Sequence, residues 1–364
     1  MDMKSTLSVL AICAAAPALA DCDTVTFSDV GWTDITATTA ATTVVLDALG
    51  YDTDIKVLSV PVTYISLAEG DVDVFLGNWM PTMEGDIASY REAGTVDTVR
   101  ANLEGAKYTL AVNSVAAEMG IANFADLAAK AEALDAKIYG IEPGNDGNRL
   151  NMDMIADNAI GLGDADFEVV ESSEQGMLAQ VDRASGRDEP IVFLGWEPHP
   201  MNANFEMSYL EGGDDWFGPN LGGATVYTNT TAGFVDACPN VGKLLTNLEF
   251  SLAMENEIMG AILDEGEDPA DAASAWLSAN PDAFMVWLDG VTTKDGDDAV
   301  AAVKASLGLS RQTVACQNAP NMGPVIRPLS AASMHCRSRS PAPARAVGPA
   351  GRHSLQSPGV APSF

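Results

Sequence analysis

The sequence predicts an α/β protein made of two successive α/β units. Short apolar segments alternate with segments of helical periodicity, and the same rhythm starts again near residue 109. The apolar segments are nearly all nonpolar, which is typical of strands that helices cover on both faces. We therefore expect a largely parallel sheet with a return of helices at the end of the chain. With 364 residues, the chain has enough material for two such units.

The first unit is predicted to end near residue 94. The pattern places strands at 24–31, 54–60 and 71–77, and helices at 38–51 and 82–94. Gly50 is expected to terminate the first helix, because glycine adopts the left-handed conformation that commonly ends helices.

The second unit follows with the same alternation. Its predicted strands are 109–113, 137–142, 167–172 and 190–196, and its predicted helices are 124–134, 148–160 and 173–184. Residues from Cys238 to Leu309 are predicted to be mostly helical.

Both ends of the chain differ from this body. Residues 1–20 carry Lys4, an apolar stretch and the ending Ala-Leu-Ala, and are typical of a secretory signal peptide. We expect a soluble exported product, since no later segment is apolar and long enough to span a membrane. Residues 310–364 are rich in Pro, Ser, Arg and Ala without periodicity, which predicts a disordered tail foreign to the rest of the chain.

The charge is strongly acidic, with 51 Asp and Glu against 19 Lys and Arg. Six of the basic residues are arginines in the tail, which leaves 13 basic residues and a net charge of −38 in the body. Nucleic acid is therefore not an expected partner, because phosphate contacts need a basic face. Solubility in a saline medium is the simplest explanation for most of the acidic excess.

Only two of the five cysteines, Cys22 and Cys238, lie in the expected mature body. Export would make a disulfide between them plausible, because exported proteins fold in an oxidising compartment. Two unpaired thiols remain the alternative from the sequence alone.

The sequence gives little support to an enzyme. It has no GxSxG elbow, HExxH pair or CxxC cluster, and His199 is the single histidine of the body. His199 lies between two prolines and is predicted to be a loop residue rather than a general base. We expect no cofactor and no metal, with an exported hydrolase as a weaker alternative because carboxylates are abundant.

Three tryptophans occupy the ends of predicted strands, where ligands bind in open parallel sheets. They are Trp32, Trp79 and Trp196, and each closely follows a glycine that would permit a sharp turn. Rings converging from two units would suit a methylated cation, which dehydrates easily and is attracted by the negative faces of aromatic rings. Packing in the core is the alternative. The other three tryptophans lack this context and are predicted to pack: Trp216, Trp276 and Trp287.

Four segments resemble the periplasmic binding proteins of ABC importers for quaternary amines. The segments are FSDVGWTDITATTA (27–40), VFLGNWMPTM (74–83), YGIEPGNDGNRL (139–150) and VFLGWEPHPMNANF (192–205). The resemblance covers most of residues 21–309 and is closest to the choline-binding members. It implies a two-lobed, type II-like fold with the ligand cleft between the lobes. By position, lobe 1 would be 21–110 plus 220–309, and lobe 2 would be 111–219.

The resemblance also implies an aromatic box around a trimethylammonium group. Carried over by position, the ligand-binding residues would be Trp32, Asp34, Trp79, Tyr108, Asn145 and Trp196. Asn145 would hydrogen-bond the choline hydroxyl. From the residues alone, Asp34 could instead cap the following helix, and the segment around Asn145 could be a glycine-rich turn capping a helix from Arg149.

The identity of the ligand depends on Asp34. A carboxylate in a dry cleft favours a net cation and repels the carboxylate of a betaine. We therefore predict a monomeric periplasmic receptor that delivers choline to an ABC-transporter permease, with acetylcholine and betaines as weaker ligands. A receptor for glycine betaine or proline betaine is the alternative.

Overall fold

The computed structural model describes residues 22–309. The predicted signal peptide (1–20) and the predicted tail (310–364) both lie outside the described residues. Within the described range, none of the helices combines the length and the apolar character needed to cross a membrane.

Within residues 22–309, nine strands form one mixed sheet. They are β1 (Thr24–Asp29), β2 (Asp52–Val57), β3 (Val74–Met80), β4 (Val96–Asn113), β5 (Lys137–Tyr139), β6 (Glu168–Val170), β7 (Val192–Glu197), β8 (Met207–Tyr209) and β9 (Gly223–Thr231). Their order across the sheet is β2-β1-β3-β9-β4-β7-β5-β6, and β8 pairs with β4 outside this path.

Fifteen α-helices accompany these strands in the described range. They are α1 (Thr33–Ala48), α2 (Val60–Glu69), α3 (Glu84–Ala93), α4 (Ser114–Glu118), α5 (Asp146–Ala156), α6 (Glu174–Ser185), α7 (Met201–Asn204), α8 (Asp214–Phe217), α9 (Pro219–Gly222), α10 (Phe234–Ala237), α11 (Pro239–Asn247), α12 (Leu252–Leu263), α13 (Pro269–Ala279), α14 (Pro281–Trp287) and α15 (Ala299–Ser306).

Neighbouring strands pair in parallel at the two ends of the sheet and antiparallel in its middle. Strand β1 pairs in parallel with β2 and β3, and β5 pairs in parallel with β6 and β7. Between them, β4 runs antiparallel to both β7 and β9, and β9 runs antiparallel to β3. The expectation of a largely parallel sheet is therefore right for each end and wrong for the middle, where two long strands join the two α/β units.

Several predicted elements differ in extent from the observed ones. The predicted strand 54–60 ends early, and a helix that the sequence analysis missed, α2, begins at Val60. Strand β4 is 18 residues long, although only its last five residues were predicted. The predicted helix 124–134 is wrong in type: two 3-10 helices, Phe124–Asp126 and Ala128–Lys130, occupy it.

Cys22 and Cys238 form a disulfide, which confirms the first of the two alternatives. The bond joins the residues before β1 to the start of α11, across a sequence separation of 216. A covalent link therefore holds the beginning of the described chain against its final third.

Candidate ligand-binding site

One cavity gathers all six residues that the resemblance placed in the site. It encloses about 260 Å³ of space between side chains, part of which is open to solvent. Its lining residues are Trp32, Asp34, Trp79, Tyr108, Ile141, Asn145, Asp146 and Trp196. Ile141 and Asp146 are additions that the sequence analysis did not anticipate.

Two of the rings come from neighbouring antiparallel strands. Tyr108 on β4 lies directly opposite Trp196 on β7, so both side chains project from the same face of the sheet. Their ring centroids are 6.3 Å apart with planes at 84°. Phe217 packs against the Tyr108 ring at 5.9 Å and holds it from another side. The two rings therefore form nearly perpendicular walls of the cavity.

A third wall comes from Trp79. The residue lies within β3 rather than after a strand end, because β3 continues to Met80. Its ring centroid is 6.1 Å from that of Tyr108.

The glycine near Trp79 does not make the predicted turn. A Cβ on Gly77 would lie 2.6 Å from the Ile35 side chain, so the missing side chain allows close packing of α1 on the sheet. Gly195 is similar, since its Cβ would lie 2.9 Å from that of Ala111. Only Gly31 has the predicted positive φ, of 82°.

The N-terminus of α1 supplies Trp32 and Asp34. Trp32 occupies the N-cap position and donates its indole N–H to Glu142 Oε1 at 2.7 Å. Asp34 lies inside the first turn, so its alternative role as the N-cap residue is not what the structure shows. Its Oδ2 atom accepts the indole N–H of Trp79 at 3.1 Å. Asp34 Oδ1, which is buried, receives no hydrogen bond from any described residue.

Burial disfavours the ionised form of Asp34. Only 1 % of Asp34 is exposed. Burial, followed by the nearby charge of Glu174, raises the pKa of Asp34 to about 8. A cation in the cavity would offset both effects, because it favours the ionised form of a neighbouring carboxyl group.

Asn145 both caps a helix and lines the cavity. Helix α5 begins at Asp146 rather than at Arg149, and Asn145 Oδ1 accepts the N–H of Asn148 at 3.0 Å. The same oxygen accepts the Tyr108 hydroxyl at 2.9 Å. The amide nitrogen donates one N–H to Asp146 Oδ1 at 3.1 Å. Because both lone pairs of Oδ1 are engaged, Asn145 can offer a ligand only its second N–H.

Two further acids stand beside this amide. Asp146 Oδ2 is buried and accepts no hydrogen bond from a described residue. Burial raises the pKa of Asp146 to about 6 and that of Glu142 to about 7. Asp34 and Asp146 line the cavity between its aromatic walls, and Glu142 lies next to it through its bond with Trp32.

His199 and Glu174 lie behind the cavity. The His199 ring packs edge-on to Trp196, with centroids 4.8 Å apart. His199 Nδ1 accepts the N–H of Met201 at 2.9 Å, which leaves its proton on Nε2, 3.0 Å from Glu174 Oε1. Although His199 does lie in a loop, as predicted, it is 1 % exposed and supports a cavity wall. Sequence reasoning assigned no role to Glu174.

The other tryptophans pack elsewhere, as predicted. Trp216 stacks on Phe124, and Trp287 packs edge-on to Phe250. Among residues 22–309, no group of three His, Cys, Asp or Glu side chains is arranged to hold a metal ion.

Residues 23–279 match the family model described as the substrate-binding domain of the ABC-type glycine betaine transport system. The chain belongs to this family. Its members are the ligand-binding components of ABC importers and lie in the periplasm or outside the cell. Their fold is two-lobed, as the sequence predicts.

Solved structures and curated relatives agree with this membership. An ABC-transporter choline-binding protein in complex with choline is 68 % identical, with a TM-score of 0.78, and covers 79 % of this chain and 99 % of its own. An ABC-transporter choline-binding protein in an unliganded semi-closed conformation is also 68 % identical, with a TM-score of 0.74, and covers 80 % of this chain and 100 % of its own. The glycine betaine/carnitine transport binding protein GbuC of Listeria monocytogenes is 29 % identical over 46 % of this chain and 54 % of that protein.

Proposed function

We propose that this protein binds choline in the cavity and delivers it to the membrane permease of an ABC importer. The observation that carries the proposal is the pairing of aromatic walls with buried carboxylate oxygens that lack hydrogen-bond donors among the described residues. The 68 % identity to a choline-binding protein solved with choline supports the same ligand.

The rings would hold the trimethylammonium group. Its positive charge is spread over methyl groups, which suits the negative faces of Trp32, Trp79, Tyr108 and Trp196. At about 2 kcal/mol per desolvated ring, four rings would contribute roughly 8 kcal/mol, which corresponds to micromolar affinity before the costs of binding.

The polar end of choline fits the other lining groups. Its hydroxyl oxygen would accept the free N–H of Asn145. Its hydroxyl group would donate a hydrogen bond to a carboxylate oxygen that lacks a described donor, on Asp34 or Asp146. A betaine would bring a carboxylate to the same place, where it would meet acids instead of donors.

Closure of the two lobes would complete the cavity. We assign lobe 1 to residues 21–110 and 220–309, and lobe 2 to 111–219. With this division Trp32, Asp34 and Trp79 come from one lobe, and Asn145 and Trp196 from the other. Ligand binding would favour the closed arrangement because the box is complete only there.

The remaining features of the proposal follow from a transport role. The protein would be exported by the signal peptide 1–20, act in the periplasm as a monomer, and bind choline without turning it over. Acetylcholine would bind more weakly, because its ester adds bulk and removes the hydroxyl proton.

A calorimetric titration with four ligands tests the proposal: choline, acetylcholine, glycine betaine and proline betaine. We expect choline to bind at micromolar concentration or below, and at least tenfold more tightly than either betaine. The family description names glycine betaine, so a betaine receptor is the second candidate. A betaine that binds more tightly than choline would establish it and refute the proposal.

A further inference from the structure

Helix α1 points its N-terminus at the cavity. The residues at this end, Trp32 and Asp34, both line the cavity. The first N–H groups of a helix lack partners inside the helix, and the end carries roughly half a positive charge. Such an end attracts anions and opposes a cation. For a binding site that takes an onium ion, this orientation of a 16-residue helix is unfavourable.

Glu174, which belongs to the other α/β unit, offsets the partial positive charge at this end of α1. The residue begins α6, which connects β6 to β7, whereas α1 connects β1 to β2. Glu174 Oε2 accepts the backbone N–H of Thr33 at 2.8 Å, and Oε1 accepts the Thr33 hydroxyl at 2.6 Å. A tryptophan side chain at the N-cap has no acceptor of its own, so the capping oxygen is provided by Glu174.

Both carboxylate oxygens of Glu174 accept hydrogen bonds from N–H groups. Its two oxygens face, respectively, the N–H of Thr33 and the Nε2–H of His199. Both partners can only donate, because Met201 holds the other ring nitrogen of His199 as an acceptor. Glu174 is only 1 % exposed, so its charge is weakly screened by solvent.

We propose that Glu174 is a specificity-determining residue, which caps the N-terminus of α1 in place of a ligand carboxylate and so selects a cation over a zwitterion. The inference rests on the proposed function. Without the Glu174 charge, the end of α1 would present N–H donors and a partial positive charge to the cavity. A betaine carboxylate is the kind of group that such an end binds.

The test compares the protein with its Glu174→Gln variant by calorimetry at pH 9, where Asp34 is ionised. Glutamine keeps the shape and can still accept the Thr33 N–H, but it removes the charge. We expect the dissociation constant for choline to rise at least tenfold. Glycine betaine, measured by its displacement of choline, is expected to bind as before or better.

The deciding quantity is the ratio of the glycine betaine and choline dissociation constants. We expect it to fall at least tenfold in the variant. A purely structural role in closure would weaken both ligands alike and leave the ratio unchanged. A ratio that does not fall overturns the inference, and this includes the case in which betaine displaces choline from neither protein.

Two further variants complete the design. Asp182→Asn removes a charge from the exposed side of the same helix, and we expect the ratio to stay within twofold. If Glu174→Gln does not fold, the double variant with His199→Gln replaces it, since the second amide can accept the new N–H of Gln at position 174.

The unaltered protein separates the two proposals. If it binds no choline, the proposed function fails. If it binds choline and the ratio does not change with Glu174→Gln, only the inference about Glu174 fails.

Discussion

The Trp79 indole N–H donates to Asp34 Oδ2 at 3.1 Å, which ties one aromatic wall of the cavity to its buried acid. The bond orients the ring and leaves the second, buried carboxylate oxygen without a described donor. One contact therefore links the position of the Trp79 ring to the charge of Asp34, and replacing either residue is expected to disturb both.

The Asp34→Asn variant is expected to lose choline affinity by about 10- to 100-fold, because a charge-assisted contact contributes about 1.5–3 kcal/mol. Glycine betaine should lose less, since its net charge is zero. Calorimetry at pH 9 measures both ligands. Equal losses for the two ligands would contradict a role for the charge.

Choline affinity is expected to depend on pH. A bound cation favours the ionised form of Asp34, whose pKa is about 8, so affinity falls as the pH drops below that value. We expect about a tenfold loss from pH 9 to pH 7, with a further decline as Glu142 and Asp146 take up protons. Titrations at several pH values check this, with Asp34→Asn as a control whose profile should be flatter. A constant affinity in the unaltered protein would show the assignment to be wrong.

The Trp196→Ala variant is expected to weaken choline binding at least tenfold, because it removes one face of the box. The matched control is Trp276→Ala, since the Trp276 indole donates to Glu257 and does not line the cavity. Affinity measured by titration should change only in the first variant. An unchanged affinity would remove Trp196 from the box.

The Gly147→Ala variant is expected to impair binding without direct contact with ligand. A Cβ at this position would lie 2.0 Å from the Tyr108 hydroxyl, so the ring would have to move. We expect at least a tenfold loss of choline affinity. Gly260→Ala is the control, because no atom lies within 4 Å of a Cβ there and alanine favours a helix. Equal affinities in both variants would mean that the ring position is not critical.

Loss of the Cys22–Cys238 bond is expected to destabilise the fold more than the site. The loop-closure entropy over a separation of 216 residues contributes on the order of 5 kcal/mol to the free energy of unfolding, as an upper limit. Urea unfolding with and without reductant measures the effect, and choline affinity should stay within about threefold. The urea midpoint of the double variant Cys22→Ser, Cys238→Ser should be the same with and without reductant. A midpoint that reductant does not move in the unaltered protein would refute the prediction.

Local patterns predicted the parts of the fold that have simple periodicity. The short buried strands and most helices are near their predicted positions, because an apolar face is visible in the sequence. Residues 96–107 of β4 were missed because VDTVRANLEGAK has no apolar run. The segment 124–134 does bury Phe124, Leu127 and Leu134, but it forms two 3-10 helices, the first of which begins with a capping box at Asn123.

The site shows the same limit. The tryptophans could be found because each closely follows a glycine near a strand end, and the resemblance then added Tyr108, Asp34 and Asn145. Glu174 and His199 could not be found from local patterns, since Glu174 reaches Thr33 and His199 only through tertiary packing. The acid that caps α1 is 141 residues away from Thr33 along the chain.

If the chain is exported with its N-terminus first, as we propose, the link between Cys22 and Cys238 sets an order of events. The first thiol emerges at once, but its partner follows 216 residues later. Oxidation to the native pair must therefore wait until more than half of the polypeptide has been translocated. Any oxidoreductase that captures the early thiol would have to release it again to the late one.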